Sequence, residues 1–330
     1  MRILKLLAAG SLWFVCAGQL LADSAEEWLI RMDHAVASIS YRGTLVSTGS
    51  NRIDTMRVLH RVDKDGVRER IYALDGPPRE VVRNGDQVRC LISGQRSVIV
   101  DNPFPTRLLP RIPLDEILGP DSVYRVQMEG TGRVAARKAR IMLILPLDEF
   151  RYGRRLWLDS DTGMLLRSVV FGPDGTIVEK LSFVEIELGA LITDSELEGE
   201  LENPSHVTRY QIGNQQRHGE FSSSKTPLWL PESLPKGFRL TSVGHGGGNG
   251  QRYEHLLFSD GLASFSIYVE FDHTATIAEQ VESRGAMHVY TGSIDGNMVT
   301  VVGEVPAPTV RLIGRHLRRL QRPPRLHNLD

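Results

Sequence analysis

Cysteine is scarce in this sequence, and neither sign of charge is in excess. Cys16 and Cys90 are the two cysteines among 330 residues. Cys16 lies in the N-terminal apolar segment, so removal of that segment would leave Cys90 alone and exclude an internal disulfide. The 39 basic and 40 acidic side chains give a net charge of −1. Because a basic excess is lacking, nucleic acid is not expected as the partner of the whole surface.

Motifs of known catalytic centres are also missing. The sequence contains neither Gly-x-Ser-x-Gly nor His-Glu-x-x-His, the motifs of the serine-hydrolase elbow and of the zincin metal site. Asp161-Thr162-Gly163 matches the aspartic-protease triplet, but that chemistry needs two carboxylates and the sequence has no second triplet. We interpret this triplet as a hairpin turn and His245-Gly246-Gly247-Gly248 as a loop between strands. The sequence therefore predicts a protein that is not an enzyme and has no cofactor and no metal site.

A short apolar run begins at Leu6, after the basic residues Arg2 and Lys5 and before the small residue Ala22. This order is typical of a secretory signal. The run is too short to span a bilayer comfortably, and no other apolar run approaches that length. We therefore predict that residues 1–22 are a signal peptide and that the mature chain is exported.

A large, mostly antiparallel β domain is predicted over residues 23–202. Apolar residues recur at helical spacing over residues 24–39, which indicates one amphipathic helix. The apolar period then changes to two, and turn residues such as Asn84-Gly85 separate short β-like runs. The predicted strands of this domain cover residues 43–47, 55–62, 68–74, 79–82, 87–92, 97–100, 123–128, 137–145, 154–159, 165–171 and 177–186. One helix followed by many strands with short connections favours a single, strongly curved sheet.

Residues 101–120 interrupt the strand pattern with five prolines and several large apolar side chains. Proline cannot donate a hydrogen bond to a neighbouring strand, so this segment is not a central strand. We interpret it as a lid or as a loop packed over a cavity. Its candidate lipid-binding residues are Phe104, Leu108, Leu109, Ile112 and Leu114.

A second, smaller domain is predicted after a linker. Residues 203–227 are polar and lack a period, which is typical of a linker. Residues 228–320 contain five predicted strands followed by a helix from Pro306. The remaining residues, 321–330, are predicted to be a flexible tail.

Basic residues cluster in the predicted C-terminal helix. Arg311, Arg315 and Arg319 are spaced by four residues, so a continuous helix would place them on one face. One interpretation is a solvated basic face. The alternative is a partner-binding surface for an acidic protein or for anionic lipid head groups.

Several segments appear in the order found in one protein family. They are Asp75-Gly76-Pro77-Pro78 with the residues to Val82, Asn84-Gly85, Leu156-Trp157-Leu158-Asp159 before Thr162-Gly163, Trp229-Leu230-Pro231, Pro235-Lys236-Gly237-Phe238, the run 259–266 and the run 301–306. Through these segments the whole mature chain resembles the RseB/MucB family. That family consists of periplasmic regulators of the sigma-E-type envelope stress response.

The resemblance implies a fold and a function. The fold would be α+β, with a half-open β-barrel of the lipoprotein-carrier type wrapped on a helix and a smaller C-terminal α/β domain. The protein would act in the periplasm as a negative regulator. It would bind the periplasmic segment of a transmembrane anti-sigma factor and shield that segment from regulated proteolysis. Binding of an acylated lipid or lipopolysaccharide would release it.

Two further points stay open at this stage. The alternative function is a periplasmic lipid or lipoprotein carrier, which the large domain alone would suggest. A homo-oligomer is also left open, because the sequence does not specify the oligomeric state. The family supplies no catalytic motif to transfer to this chain.

Overall fold

A helix and a twelve-stranded sheet form the larger of two structural units. The structure is a computed structural model, and it describes residues 24–49, 52–85, 87–92, 97–100, 109, 112–199, 207–210, 222–223, 226–248, 251–271 and 277–320. The predicted signal peptide, the predicted tail, Phe104 and Leu108 lie outside the described residues. Among those that are described, no helix is long and apolar enough to cross a membrane.

The N-terminal helix α1 spans Ala25–Ser38, which confirms the predicted amphipathic helix. Ser24 caps it, because its hydroxyl accepts a hydrogen bond from the Glu27 amide while the Glu27 carboxylate accepts one from the Ser24 amide. One face of the helix is buried. Its buried residues are Trp28, Leu29, Met32, Ala35 and Val36.

Twelve strands wrap around this helix. They are β1 Tyr41–Gly49, β2 Arg52–Asp63, β3 Gly66–Ala73, β4 Arg79–Asn84, β5 Gln87–Ile92, β6 Ser97–Val100, β7 Tyr124–Val134, β8 Arg137–Pro146, β9 Gly153–Asp159, β10 Leu165–Phe171, β11 Ile177–Leu188 and β12 Val207–Tyr210. Their order in the sheet is β12-β6-β5-β4-β3-β2-β1-β11-β10-β9-β8-β7. All pairs are antiparallel except β12 with β6. Within the described residues the edge strands β7 and β12 do not pair with each other, so the barrel is half open and the predicted fold class is confirmed.

The core of this unit lies between α1 and the concave face of the sheet. Tyr41, Val58, Met142, Leu156 and Phe183 come from five different strands and pack in one cluster with the buried face of the helix. A short helix α2, Leu114–Leu118, adds Ile117 to the same cluster. One further helix, α3, Asp194–Leu197, covers the outer face of the sheet near β3.

The smaller unit is a seven-stranded antiparallel sheet covered by one helix. Its elements are β13 Ser222–Ser223, β14 Trp229–Pro231, β15 Arg239–Gly248, β16 Gln251–Ser259, β17 Ser264–Glu270, β18 Gln280–Arg284, β19 Met287–Ile294, β20 Asn297–Gly303, α4 Ala307–Arg315 and β21 Leu317–Arg319. Strands β14 and β21 form a separate pair. The helix lies close to β19, where a Cβ atom on Gly314 would be 2.1 Å from the Tyr290 ring. A side chain at this position would therefore push the helix off the sheet.

A buried carboxylate anchors the beginning of this unit. Glu254 is fully buried on β16. Its Oε1 atom accepts a hydrogen bond from the Leu228 amide at 2.6 Å, and its Oε2 atom accepts one from the Trp229 amide at 3.0 Å. His245 Nε2 lies 3.1 Å from Oε1. These contacts fix β14 against the sheet.

The predicted C-terminal helix is shorter than expected, so Arg319 does not share a helical face with Arg311 and Arg315. Helix α4 ends at Arg315, and Arg319 lies in β21 opposite Trp229. The physical reason is that the chain leaves the helical conformation to bury Leu317 and to pair with β14. Part of the segment predicted as a linker also has regular structure, since β12 joins the large sheet and β13 joins the small one.

Candidate functional site

An arginine from the large domain is buried in the contact with the small domain. Arg151, in the turn between β8 and β9, is fully buried. Its Nη1 atom donates to Asp260 Oδ2 at 2.7 Å, and its Nη2 atom donates to the Lys236 carbonyl oxygen at 2.7 Å. Its Nε atom donates to Asp148 Oδ1 at 3.1 Å. Because a buried charge is costly unless it is paired, these bonds hold the two domains in one arrangement.

Asp260 is the acceptor at the centre of this contact. Its Oδ2 atom also accepts a hydrogen bond from the Tyr124 hydroxyl at 2.8 Å, and its Oδ1 atom accepts bonds from the amides of Leu262 and Ala263 at 2.9 and 2.7 Å. Burial, and then the negative charge of Asp260, raise the pKa of Tyr124 far above its usual value. The phenol therefore stays protonated and acts as a donor to the carboxylate.

The turn that carries Asp260 docks directly onto helix α2. Gly261 has φ +96°, and a Cβ atom there would lie 2.9 Å from Pro113 Cγ and 3.0 Å from Glu116 Cγ. Its neighbour Leu262 packs against the core of the large domain. Only glycine combines this conformation with this close approach. The segment 259–266, one of those that resemble the RseB/MucB family, thus forms part of the domain contact.

A second set of contacts joins the domains near α4. The Thr309 hydroxyl donates to the Phe150 carbonyl oxygen at 2.8 Å. His288 Nδ1 lies 2.9 Å from the Val305 carbonyl oxygen, which assigns the ring proton to this nitrogen, and 3.1 Å from the Tyr152 hydroxyl. These contacts join the turn between β8 and β9 of the large domain to β19 and α4 of the small domain, and a groove lies between the domains.

This groove consists of two adjoining cavities of about 200 and about 260 Å³. The two cavities share Glu179, Ala286 and Glu304 in their walls. The polar side chains that also line the first cavity are Tyr124, Tyr152, Arg154 and Ser168. Those of the second cavity are Ser47, Arg52, Asp54, Arg79 and Arg284. The groove is therefore acidic where the cavities join, and the rest of the second cavity carries three arginines against one carboxylate, Asp54, which pairs with Arg52 and Arg79.

The shared acidic residues interact electrostatically across the domain boundary. Burial, and then the charge of Glu304, raise the pKa of Glu179, whereas the nearby Arg154 opposes this shift. Burial and the same Glu304 charge raise the pKa of Tyr152 to about 12. The Tyr152 phenol is therefore uncharged at neutral pH, and the side chains of Glu179 and Glu304 line the same cavity. Within the described ranges, no cluster of three or more His, Cys, Asp or Glu residues is arranged to hold a metal ion.

Two known family profiles match this chain, one for each of its two domains. Profiles of the MucB/RseB N-terminal domain and of the MucB/RseB C-terminal domain match residues 24–201 and 223–318, respectively. The chain belongs to the MucB/RseB family. The Sigma factor AlgU regulatory protein MucB of Pseudomonas aeruginosa is 33% identical over 321 residues, which are 95% of this chain and 96% of the relative. The Sigma-E factor regulatory protein RseB of Escherichia coli is 24% identical over 94% of this chain and 96% of its own length.

Solved structures of MucB share this fold. A chain from the complex of Pseudomonas aeruginosa MucA and MucB superposes with a TM-score of 0.72 and 29% identity, covering 90% of this chain and 99% of that chain. The structure of MucB in complex with MucA(peri) gives a TM-score of 0.71 and 30% identity, with 90% of this chain and 100% of that chain covered. Members of the MucB/RseB family are named as regulators of sigma factors.

The apolar segment 101–120 lies partly in the core of this MucB/RseB chain. Leu109 and Ile112 are 4% and 2% exposed and pack in the cluster that surrounds α1, and Leu114 packs against that cluster. These three candidate residues are therefore brought together, but as part of the core. Their role in lipid binding stays a prediction, as does that of Phe104 and Leu108.

The candidate basic residues of the small domain already have an acidic neighbour. Arg315 Nη2 lies 2.7 Å from Glu279 Oε1, and Arg311 Nε lies 3.8 Å from the same atom. The hydrogen bonds from Arg315 lower the pKa of Glu279 below its usual value. Arg319 is on a different element, as described above. The binding role predicted for these three arginines stays a prediction.

Sequence reasoning missed the residues that join the domains. Arg151 and Asp260 are 109 positions apart, and neither belongs to a recognised catalytic or binding motif. The available signal was indirect: the family-like segments at 235–238 and 259–266 contain Lys236 and Asp260. Both segments meet Arg151, so two of the segments that carry the family resemblance come together in three dimensions.

Proposed function

We propose that the protein is a periplasmic negative regulator of an envelope stress response. It binds the periplasmic segment of a transmembrane anti-sigma factor and shields that segment from regulated proteolysis. The observation that carries this proposal is the match of both domains, in order and over nearly the whole chain, to a family whose relative MucB has been solved with MucA(peri). The predicted signal peptide at residues 1–22 supports a periplasmic location.

The interdomain groove is the proposed site for the partner. A groove lined by both domains exists only while they are docked, so binding there depends on the Arg151–Asp260 contact. Its walls carry charges of both signs, which favours an extended polypeptide over an acyl chain. The protein then acts by covering the partner, which requires no catalytic residues.

Lipid or lipopolysaccharide is proposed to release the partner through the large domain. Each methylene of an acyl chain contributes roughly 0.8 kcal/mol when buried. A chain that enters beside Leu109 and Ile112 has to displace these two side chains and helix α2, which follows them. Because the Gly261 turn rests on α2 at Pro113 and Glu116, this displacement weakens the domain contact. Lipid thereby favours the conformation that binds the partner poorly.

Direct binding tests the first part of this proposal. The mature protein, residues 23–330, is titrated by calorimetry with the periplasmic segment of the anti-sigma factor from the same organism. Saturable binding is expected for the mature protein. Binding to neither the native segment nor its Pseudomonas aeruginosa counterpart, the MucA periplasmic segment, would refute the proposal.

A distance measurement tests the release mechanism. Cysteines are introduced at Lys64 and Glu282, which are exposed on opposite domains, in a Cys90→Ser background, and are labelled for energy transfer. Addition of lipopolysaccharide is expected to change the distance and to release bound partner together. Release of the partner at an unchanged distance would contradict a mechanism that works through the domain contact.

A further inference from the structure

The first cavity of the groove contains polar side chains that nothing in the described part of the chain satisfies. Ser168 is only 6% exposed and lines this cavity, yet its hydroxyl has no hydrogen-bond partner there. The carboxylates of Glu179 and Glu304 also line the cavity, and neither forms a hydrogen bond or an ion pair with another described residue. Buried polar groups in proteins are nearly always paired. The Glu179 side chain is half-buried and that of Glu304 is exposed, so the largely buried Ser168 and the two carboxylates together offer unused hydrogen-bond acceptors to a ligand in this cavity.

The charges in this cavity select the ligand. Glu179 belongs to β11 of the large domain, and Glu304 follows β20 of the small domain. Like charges brought together at a partly buried site repel each other. A cation placed between them would remove this repulsion and would join the two domains electrostatically. Arg154 is a single positive charge against two negative ones, so it leaves the cavity acidic.

The size of the cavity limits the ligand further. A cavity of about 150 Å³ in another protein holds one benzene ring, and this one measures about 200 Å³. It therefore accepts the end of one long side chain but no folded element. The phenol groups of Tyr124 and Tyr152 stand in its wall. Aromatic rings are suitable neighbours for ammonium and guanidinium groups.

We infer that this cavity is a binding site for the guanidinium or ammonium group of an arginine or lysine side chain of the partner. The inference rests on the proposed function, since it assigns this side chain to the anti-sigma segment. The adjoining cavity supports that source over a free amine. It shares Glu179 and Glu304 with the first cavity and also has Arg52, Arg79 and Arg284 in its walls, of which the first two pair with the single carboxylate Asp54, so the arginines remain in excess. An extended segment with one basic residue followed by acidic residues matches this order of charges.

A small-molecule titration tests the cavity without the partner. Butylguanidinium is titrated into the mature protein and followed by amide chemical shifts in NMR spectra, with the neutral isostere butylurea as the control ligand. We expect a Kd on the order of 1 mM for butylguanidinium and no binding of butylurea. The double variant Glu179→Gln/Glu304→Gln is expected to weaken binding about tenfold or more, and Ser168→Ala about threefold.

A matched protein control separates the cavity from net charge. Glu282→Gln removes a negative charge from an exposed position on β18 that lines neither cavity, and it is expected to leave binding unchanged. Because Glu179 forms no hydrogen bond with a described residue and its burial disfavours the charged form, Glu179→Gln is also expected to leave the thermal midpoint unchanged or to raise it. Failure of the unmodified protein to bind butylguanidinium, or an equal loss in Glu282→Gln, would overturn the inference.

The partner side is tested with a double-mutant cycle. Each lysine and arginine of the anti-sigma segment is replaced in turn by glutamine, and each peptide is titrated into the unmodified protein and into Glu179→Gln/Glu304→Gln. One position is expected to lose at least about fivefold in affinity with the unmodified protein and nothing further with the double variant. If the segment binds but no position shows this coupling, the assignment of the cavity is wrong while the proposed function stands. If butylguanidinium binds and the segment does not, the proposed function and the assigned source of the cation are both wrong.

Discussion

Removal of the Asp260 charge should separate the two domains. In Asp260→Asn the side chain keeps its shape, but Arg151 loses the carboxylate 2.7 Å from its Nη1 atom while remaining fully buried. Removing one partner of a buried ion pair costs about 3–5 kcal/mol. Asp148 stays 3.1 Å from Nε as a second, partly exposed counter-charge. We therefore expect the lower end of that range, about 3 kcal/mol.

The assay is urea unfolding followed by far-ultraviolet circular dichroism, combined with limited proteolysis of the 203–227 segment. A two-domain protein can unfold in two steps, so the midpoint of the first transition is the quantity compared. We expect Asp260→Asn to lower this midpoint and to accelerate cleavage between the domains. Since the groove needs both domains, affinity for the anti-sigma segment should fall in the same variant.

Two control variants make this prediction specific. Glu129→Gln breaks the exposed pair with Arg155, whose atoms are 2.8 Å apart, and exposed pairs contribute at most about 1 kcal/mol. The double variant Arg151→Met/Asp260→Asn removes the buried charge that the single variant leaves unpaired, while the amide oxygen at position 260 can still accept from the Leu262 and Ala263 amides, so it should recover part of the lost stability. A loss below about 1 kcal/mol in Asp260→Asn, or a loss equal to that of Glu129→Gln, would refute the reasoning.

Three further expectations concern other parts of the structure. Glu254→Gln replaces a carboxylate oxygen by an amide nitrogen that cannot accept from a backbone N–H, so the free energy of unfolding of the small domain should fall by about 1–3 kcal/mol. An unchanged urea midpoint would contradict this. Leu109→Asp places a charge in the large-domain core and should destabilise that domain by at least about 3 kcal/mol. The control Leu191→Asp, at an 89% exposed position, should have little effect. Equal melting temperatures of these two variants would show that Leu109 is not a core residue. The lowered pKa of Glu279 depends first on its hydrogen bonds from Arg315, so Arg315→Gln should raise this pKa in a carbon-detected NMR titration. The stability that the ion pair contributes is present above the usual carboxyl pKa and is lost as pH falls through the lowered value, and it should disappear in this variant. An unchanged Glu279 pKa would exclude this ion pair in solution.

Local signals in the sequence predicted the elements whose determinants are close together in the chain. The turn at Asn84-Gly85 joins β4 and β5 as expected, and Gly85 has φ +58°, a conformation that glycine adopts without strain. Helix α1 was predicted almost to its ends, because its apolar stripe is a local feature of the sequence. Elements of this kind account for most of the strands of the large sheet.

Elements that depend on distant contacts were not predicted. Strand β18, Gln280–Arg284, is an edge strand with mostly exposed polar side chains, so it has no apolar alternation to reveal it. Strand β12 forms because it pairs in parallel with β6, more than 100 residues earlier. The end of α4 is set by pairing of the next residues with β14. Propensity within a short window contains no information about such partners.

The residues of the candidate site also depend on distant contacts and were not predicted from the sequence. In the sequence Arg151 follows the acidic residues Asp148 and Glu149, and an arginine among charged neighbours is usually exposed to solvent. Its burial arises only when the small domain docks. The apolar 101–120 segment was correctly recognised as unusual, but its periodicity could not distinguish a lid over a cavity from the core position that Leu109 and Ile112 occupy.

Protection of the anti-sigma segment from proteolysis tests the central claim most directly. The periplasmic segment is incubated with the protease that processes it, and the cleavage rate is measured with increasing amounts of the mature protein, residues 23–330. The account predicts that cleavage slows in proportion to the bound fraction, and that Asp260→Asn protects less than the unmodified protein at equal concentration. Cleavage rates that are equal with and without the protein, at concentrations where the segment is bound, would contradict it.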